Sequence, residues 1–199
     1  SQLSVAGAEL PFTTTHLSAA AGLVTWALVE TWRDNKPTAV GMATGAVAGL
    51  VGVTPAAGFV TPGAGMAIGA ITAVVCYASV RIKVRLRFDD SLDTFAVHGV
   101  GGTIGALLTG VFANAALIEN HPAGAVLAEQ GRIALMLGQL QAVLVAYGLA
   151  AGGTLVIAMA LRQCGVAFRV PAEAEQMGVD VNEHGEEAYA ERTGSPILH

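Results

Sequence analysis

The sequence predicts an all-α integral membrane protein with five transmembrane helices. Hydrophobic residues make up 53% of its 199 positions and charged residues only 13%, whereas a soluble domain has about 25% charged residues. Its 25 glycines lie mostly inside apolar runs, as is typical of membrane helices whose backbones approach closely. Because a surface in water needs more charge than this, lipid is the expected solvent.

Five apolar stretches are long enough to cross a bilayer core, which needs about 20 residues. The longest is expected to tilt or bend at Gly152–Gly153, and the Thr54–Pro55 pair predicts a turn or kink near the outer end of the second. Residues 1–163 are therefore assigned to a membrane domain and residues 164–199 to a polar tail. The five predicted spans are residues 13–32, 38–60, 63–81, 94–117 and 132–161.

The basic residues predict the orientation. Numbering the connections alternately places nine of the ten Lys and Arg residues on one side of the membrane and Arg132 alone on the other. By the positive-inside bias the richer side is cytoplasmic, so the tail is expected inside and Ser1 outside. The nine are Arg33, Lys36, Arg81, Lys83, Arg85, Arg87, Arg162, Arg169 and Arg192.

Glycines at four-residue spacing predict where the helices meet. Such residues fall on one helix face and permit close crossings, either within the bundle or with a neighbouring subunit. The pattern indicates a bundle without specifying which one. The glycines concerned are Gly41, Gly45 and Gly49; Gly65 and Gly69; Gly101 and Gly105; and Gly148 and Gly152.

Ionisable groups within membrane spans are candidates for function, and His98 in the fourth span stands out. Asp89, Asp90 and Asp93 precede it and are expected to cap the helix start and to pair with Arg85 or Arg87. Two interpretations of His98 stay open. Its ring could bond a carbonyl of a neighbouring helix, or it could border an apolar pore and exchange hydrogen bonds with a small polar substrate.

Soluble enzymes and nucleic-acid-binding proteins are not indicated. The sequence has no P-loop, no GxGxxG, no GxSxG and no paired Cys/His spacing, so neither an enzymatic activity nor a metal or cofactor is expected. It also has no basic face for nucleic acid. Cys76 and Cys164 are interpreted as small packing residues.

Three segments resemble conserved parts of the ammonium transporter (Amt/Rh) family, in its bacterial form. Residues 45–58 are similar to a hallmark segment of these proteins, and residues 89–102 to the segment that bears the second of two pore histidines. Residues 168–171, 178–182 and 184–186 are similar to the cytoplasmic C-terminal region. The resemblance covers most of the chain and corresponds to the C-terminal half of the family's fold.

The resemblance implies ammonium or ammonia transport through a narrow hydrophobic pore, one per subunit of a homotrimer in the cell (inner) membrane. This chain would supply the last five of eleven helices, and the N-terminal half of the same protein would supply the rest. His98 matches the second pore histidine, Thr94 would line the same wall, and Asp93 would be structural near the pore. A PII-type signal protein could bind the tail. The alternative is a membrane ammonium sensor that signals through its C-terminal tail.

Overall fold

A computed structural model describes residues 5–186, in which every regular element is helical. This confirms the predicted all-α class. The chain divides into two compact units, Ser1–Tyr147 and Gly148–His199, and α6 runs from the first into the second. The elements in order are α1 (Val5–Asp34), α2 (Ala39–Val53), α3 (Pro62–Leu86), the π-helical turn π1 (Phe95–Val100), α4 (Gly101–Phe112), a 3₁₀ turn (Ala115–Leu117), α5 (Pro122–Glu129), α6 (Gly131–Gln163), α7 (Ala172–Met177) and a second π turn, π2 (Asp180–His184).

In the first unit, α1, α2 and α3 pack against one another through small residues. A Cβ atom added to Gly22 would lie 2.4 Å from the carbonyl oxygen of Gly45, and one added to Gly69 would lie 2.2 Å from that of Ser18. Ser18 Oγ donates to the Gly49 carbonyl at 2.8 Å. Contacts this close require residues without side chains, which is why the glycine spacing predicted the bundle.

The second predicted span, residues 38–60, is helical only in its first part. α2 ends at Val53 and residues 54–60 form turns, in agreement with the turn or kink that the Thr54–Pro55 pair predicts. Pro55 lacks an N–H and its ring clashes with a preceding carbonyl, which kinks or ends a helix. Thr54 closes the helix end by donating from its hydroxyl to the Leu50 carbonyl at 2.6 Å. At 15 residues, α2 is about 22 Å long, shorter than a hydrocarbon core of about 30 Å.

Four helical stretches in the described part of the chain are long and apolar enough to cross a membrane. These are Ala8–Asp34, Pro62–Leu86, Phe95–Phe112 and Gly131–Gln163. They correspond to the first, third, fourth and fifth predicted spans, with α1 and α3 extending beyond the predicted ends. Thr61 caps α3 from the position before Pro62, an arrangement that favours a helix start.

The fourth segment stops being helical before its predicted end at residue 117. α4 ends at Phe112, and the Arg132 guanidinium donates to the carbonyls of Gly110 and Ala113 at 3.2 Å and to that of Val111. These carbonyls have no partner within the helix, so an arginine at this end supplies their hydrogen-bond donors, and its positive charge interacts favourably with the negative end of the helix dipole. The lone basic residue of the predicted outer side therefore has a structural role.

The second unit holds the rest of α6 and the tail. α6 stays α-helical through Gly152 and Gly153, and no heavy atom lies within 4 Å of a Cβ built on either glycine or on Gly148. In the tail, Arg169 donates to the Glu175 carboxylate from Nε at 2.6 Å and from Nη2 at 2.8 Å. This bidentate bond holds the pKa of the Glu175 carboxyl below its usual value.

Candidate functional site around His98

His98 lies in π1, a wide turn of six residues that leads directly into α4. π-helical turns are rare and occur often at functional sites. On one side of π1, Ala96 and Val97 are buried, and Val97 packs in a cluster with Trp26 and Tyr77. Thr94 and His98 are exposed on the surface of this unit.

The exposed imidazole has no hydrogen bond to any residue between 5 and 186. Thr94 precedes it by one turn, and the Thr94 side chain also makes no hydrogen bond within that range. A neutral imidazole carries one donor and one acceptor, so the His98 ring offers both to whatever lies against this surface. Bonding to a carbonyl of a neighbouring helix, the packing alternative, is not seen among the described helices.

Asp90 holds the start of π1. Its carboxylate accepts hydrogen bonds from the backbone N–H groups of Thr94 at 2.8 Å and Phe95 at 2.9 Å. These are groups that a helix start leaves without partners, and a carboxylate there also suits the positive end of the helix dipole. The sequence prediction that these acids cap the helix is confirmed for Asp90.

Asp93 has a different role from Asp90. Its backbone has φ +55°, in the left-handed region, and its carbonyl accepts from Val97 N–H at 2.8 Å. Its carboxylate pairs with Lys83 Nζ, which also donates to the Asp90 carbonyl. The expected partners Arg85 and Arg87 make no ion pair with these acids among the described residues, so that prediction is wrong. Arg87 ends α3 in the left-handed conformation, whereas Lys83 lies a turn earlier and reaches the acids.

Tyr147 of α6 contacts the far end of π1. Its hydroxyl donates to the Gly99 carbonyl at 3.1 Å and lies 2.8 Å from Thr103 Oγ1, which itself donates to the same carbonyl at 2.8 Å. The residue that follows His98 is therefore held by two hydroxyls, one from α4 and one from α6. The sequence analysis did not connect Tyr147 or Lys83 with this segment, because neither lies in the motif around His98.

A cavity of about 280 Å³ lies beside π1 but is not lined by His98. It is almost entirely apolar and opens between the C-terminal end of α3 and π1, so within the described part of the chain it is separate from the imidazole. No group of three His, Cys, Asp or Glu side chains among residues 5–186 could hold a metal ion. The cavity is lined by Ser79, Ile82, Lys83, Leu86, Phe88, Phe95, Ala96 and Val100.

Known proteins resemble this chain over most of its length. It is 41% identical to the "Ammonium transporter" of Bacillus subtilis over 179 residues, which cover 89% of the chain and 43% of that protein. It is 36% identical to "Ammonium transporter Amt1" of Archaeoglobus fulgidus over 175 residues, or 88% of the chain and 43% of the relative. The chain thus spans less than half the length of these relatives.

Solved structures agree with the sequence comparison. The structure titled "Sensor Amt Protein" superposes with a TM-score of 0.77 at 31% identity, covering 91% of this chain and 43% of the other. The crystal structure of Candida albicans Mep2 superposes with a TM-score of 0.67 at 30% identity over 85% of this chain and 38% of the other. Residues 1–189 match the Ammonium Transporter Family. The chain belongs to the ammonium transporter family.

Proposed function

We propose that this chain forms part of a transmembrane pore for ammonium or ammonia, with His98 and Thr94 on its wall. The observation that carries the proposal is the exposed imidazole on π1, which has no hydrogen bond among the described residues while the opposite side of the same turn is buried. In a protein of this family, a surface with unpaired donors and acceptors on a membrane helix is suited to a polar substrate.

The chemistry of the substrate explains why an imidazole is useful there. Placing a bare ammonium ion in a medium of low dielectric constant is costly, whereas neutral ammonia crosses it at much lower cost. A neutral imidazole can accept from or donate to ammonia without adding charge to the passage. The proposal includes a second histidine opposite His98, contributed by the N-terminal half of the same protein.

The proposed setting is the cell's inner membrane, with five crossings in residues 1–163 as part of an eleven-helix fold. In this arrangement α2 and the turns that follow it make the second crossing together. The nine basic residues of one side support a cytoplasmic tail, residues 164–199. A homotrimer and a PII-type signal protein on the tail belong to the same proposal, whose support is the family membership.

The test compares His98→Ala with His16→Ala in native membranes. Both imidazoles are exposed on apolar helices of this unit, and that of His16 stacks on Phe12. Uptake of methylammonium, a substrate analogue, is measured per folded molecule. Losing a substrate hydrogen bond in a dry passage should change uptake, or its selectivity over ammonium, by about tenfold in the His98 variant, while His16→Ala should resemble the parent.

Unchanged uptake and selectivity in His98→Ala would contradict the pore assignment. A protein that binds methylammonium but takes none up, with wild-type His98 present, would instead favour the sensor alternative.

A further inference from the structure

Lys83 links the inner end of α3 to the segment that carries His98. Its side chain is 13% exposed and that of its partner Asp93 is 30% exposed, so both are shielded by the protein around them. Lys83 is in the last turn of α3, and its ammonium group contacts two acceptors of the connection to π1, the Asp90 carbonyl and the Asp93 carboxylate.

The two acceptors belong to Asp90 and Asp93, which also hold the start of π1. Asp90 caps the first two backbone N–H groups of the turn, and Asp93 supplies the carbonyl that accepts from Val97. Asp93 does so with a positive φ of 55°, a conformation that is uncommon for non-glycine residues, although Asp adopts it more readily than most. Lys83 bonds the Asp93 side chain and the Asp90 backbone simultaneously and thereby ties both residues to α3.

We propose that Lys83 is a positioning residue for His98, setting the start of π1 and hence the place of the imidazole in the pore. The inference rests on the proposed transport function. The ammonium group of Lys83 does not touch the substrate; it acts through Asp90 and Asp93. Arg81, Arg85 and Arg87 lie on the same helix end, yet the described residues show none of them bonded to either acid, so the role is specific to Lys83.

The experiment uses Lys83→Met, Lys83→Arg and Arg85→Met in native membranes. Met keeps the length of the side chain and removes its charge and donors. Arg keeps a cation that can bond both acceptors. Arg85→Met is the matched control, since it removes an exposed positive charge two residues away that has no ion pair among residues 5–186. Methylammonium uptake per folded molecule, selectivity over ammonium and thermal stability are recorded for each.

A shift of an ångström in a group that contacts substrate is costly, so Lys83→Met should lower uptake per folded molecule by about tenfold and change selectivity. Lys83→Arg should recover at least about half of the parent uptake, and Arg85→Met should stay within about twofold of it. If Lys83→Met does not reach the membrane, Lys83→Gln, which keeps a donor for the Asp90 carbonyl, replaces it under the same criteria.

Equal uptake and selectivity in the parent and Lys83→Met would overturn the inference, as would an equal loss in Arg85→Met. A loss that follows only the amount of folded protein, with normal uptake per molecule, would show a purely structural role and also overturn it. A parent protein that takes up no methylammonium would instead refute the proposed function, so the two failures are distinguishable.

Discussion

The Tyr147 hydroxyl contributes to the site from a helix far along the chain. It reaches the Gly99 carbonyl across 48 residues of sequence, next to the imidazole that the proposed function depends on. Within the described part of the chain, this hydroxyl, Thr103 Oγ1 and the Gly99 carbonyl form one small network. A hydroxyl that donates to a carbonyl contributes a net stabilisation of about 1 kcal/mol, so each of the two hydroxyls is expected to stabilise π1.

Tyr147→Phe and Thr103→Val test this network. Each removes one donor to Gly99 and should lower the free energy of unfolding by about 1 kcal/mol. Because the two hydroxyls share one acceptor and contact each other, the double variant should cost less or more than the sum of the single changes by at least about 0.5 kcal/mol. Thermal unfolding of the purified protein in detergent measures all three. Strictly additive costs would show that the hydroxyls act independently.

At the residue scale, the sequence located the segment but not its supports. His98 and the capping acids were named from the local sequence and Thr94 from the family resemblance, and they lie within π1 or in the residues just before it. Lys83 and Tyr147 contact that turn only because α3 and α6 are brought beside it, and no local pattern encodes such contacts. The wide π geometry was also not foreseen, since a π turn has the same apolar composition as an α-helical one.

At the scale of elements, glycines decide which helices can meet. Gly105 on α4 faces the backbone of α2: a Cβ built there would lie 2.2 Å from the Gly52 carbonyl oxygen. Gly102 on the same helix has only Val51 Cγ1 nearby, at 3.9 Å. The two positions share residue type and helix and lie three residues apart, so they form a pair whose main difference is what lies opposite.

Gly105→Ala should therefore destabilise the protein by about 2 kcal/mol or more, because backbone cannot move aside as a flexible side chain can. Gly102→Ala should be neutral or slightly stabilising, since alanine is the better helix former by up to about 1 kcal/mol. Membrane abundance and thermal unfolding of the two variants give the comparison. Equal effects would mean that α2 and α4 are not in close contact.

The elements were predictable to different degrees for physical reasons. The sequence placed α1, α3 and α6 from long apolar runs, since hydrocarbon thickness sets a minimum length. In the second predicted span the helix ends at Val53, beside the Thr54–Pro55 pair that predicts a turn or kink, and the turns that follow are as apolar as the helix. In the fourth, the helix ends at Phe112, where Arg132 caps it, and the contact with Arg132 is not visible in the local sequence.

At the scale of the molecule, the exposure of large apolar side chains indicates surfaces that meet something other than water. More than half of the residue surface is exposed at Leu28, Leu144, Val145 and Ile157. An apolar stretch of α6 that is long enough to span a membrane contains no buried residue. Lipid and further helices are both suitable partners for such surfaces. The low charge content of the sequence predicts such surfaces.

Orientation in the membrane is the whole-molecule property that the charge distribution predicts, and two native cysteines can report it. Cys164 is exposed and follows α6, whereas Cys76 is buried within α3. A membrane-impermeant maleimide should therefore label Cys164 and leave Cys76 unmodified, since thiol reaction requires access. With nine basic residues on its side, Cys164 should be cytoplasmic. Labelling is expected in inside-out vesicles and not in intact cells.

A second cysteine on the opposite side makes the orientation test decisive. In a Cys164→Ser background the label should disappear. Adding Glu119→Cys, at an exposed position in the connection between α4 and α5, should then restore labelling, but in intact cells and not in inside-out vesicles. An odd number of crossings between residues 119 and 164 is required for the two patterns to differ, and α6 is the one helix in that interval long enough to make it. Labelling of both sites from the same side would remove α6 as a span, and labelling of Cys164 in intact cells would contradict the cytoplasmic placement of the tail.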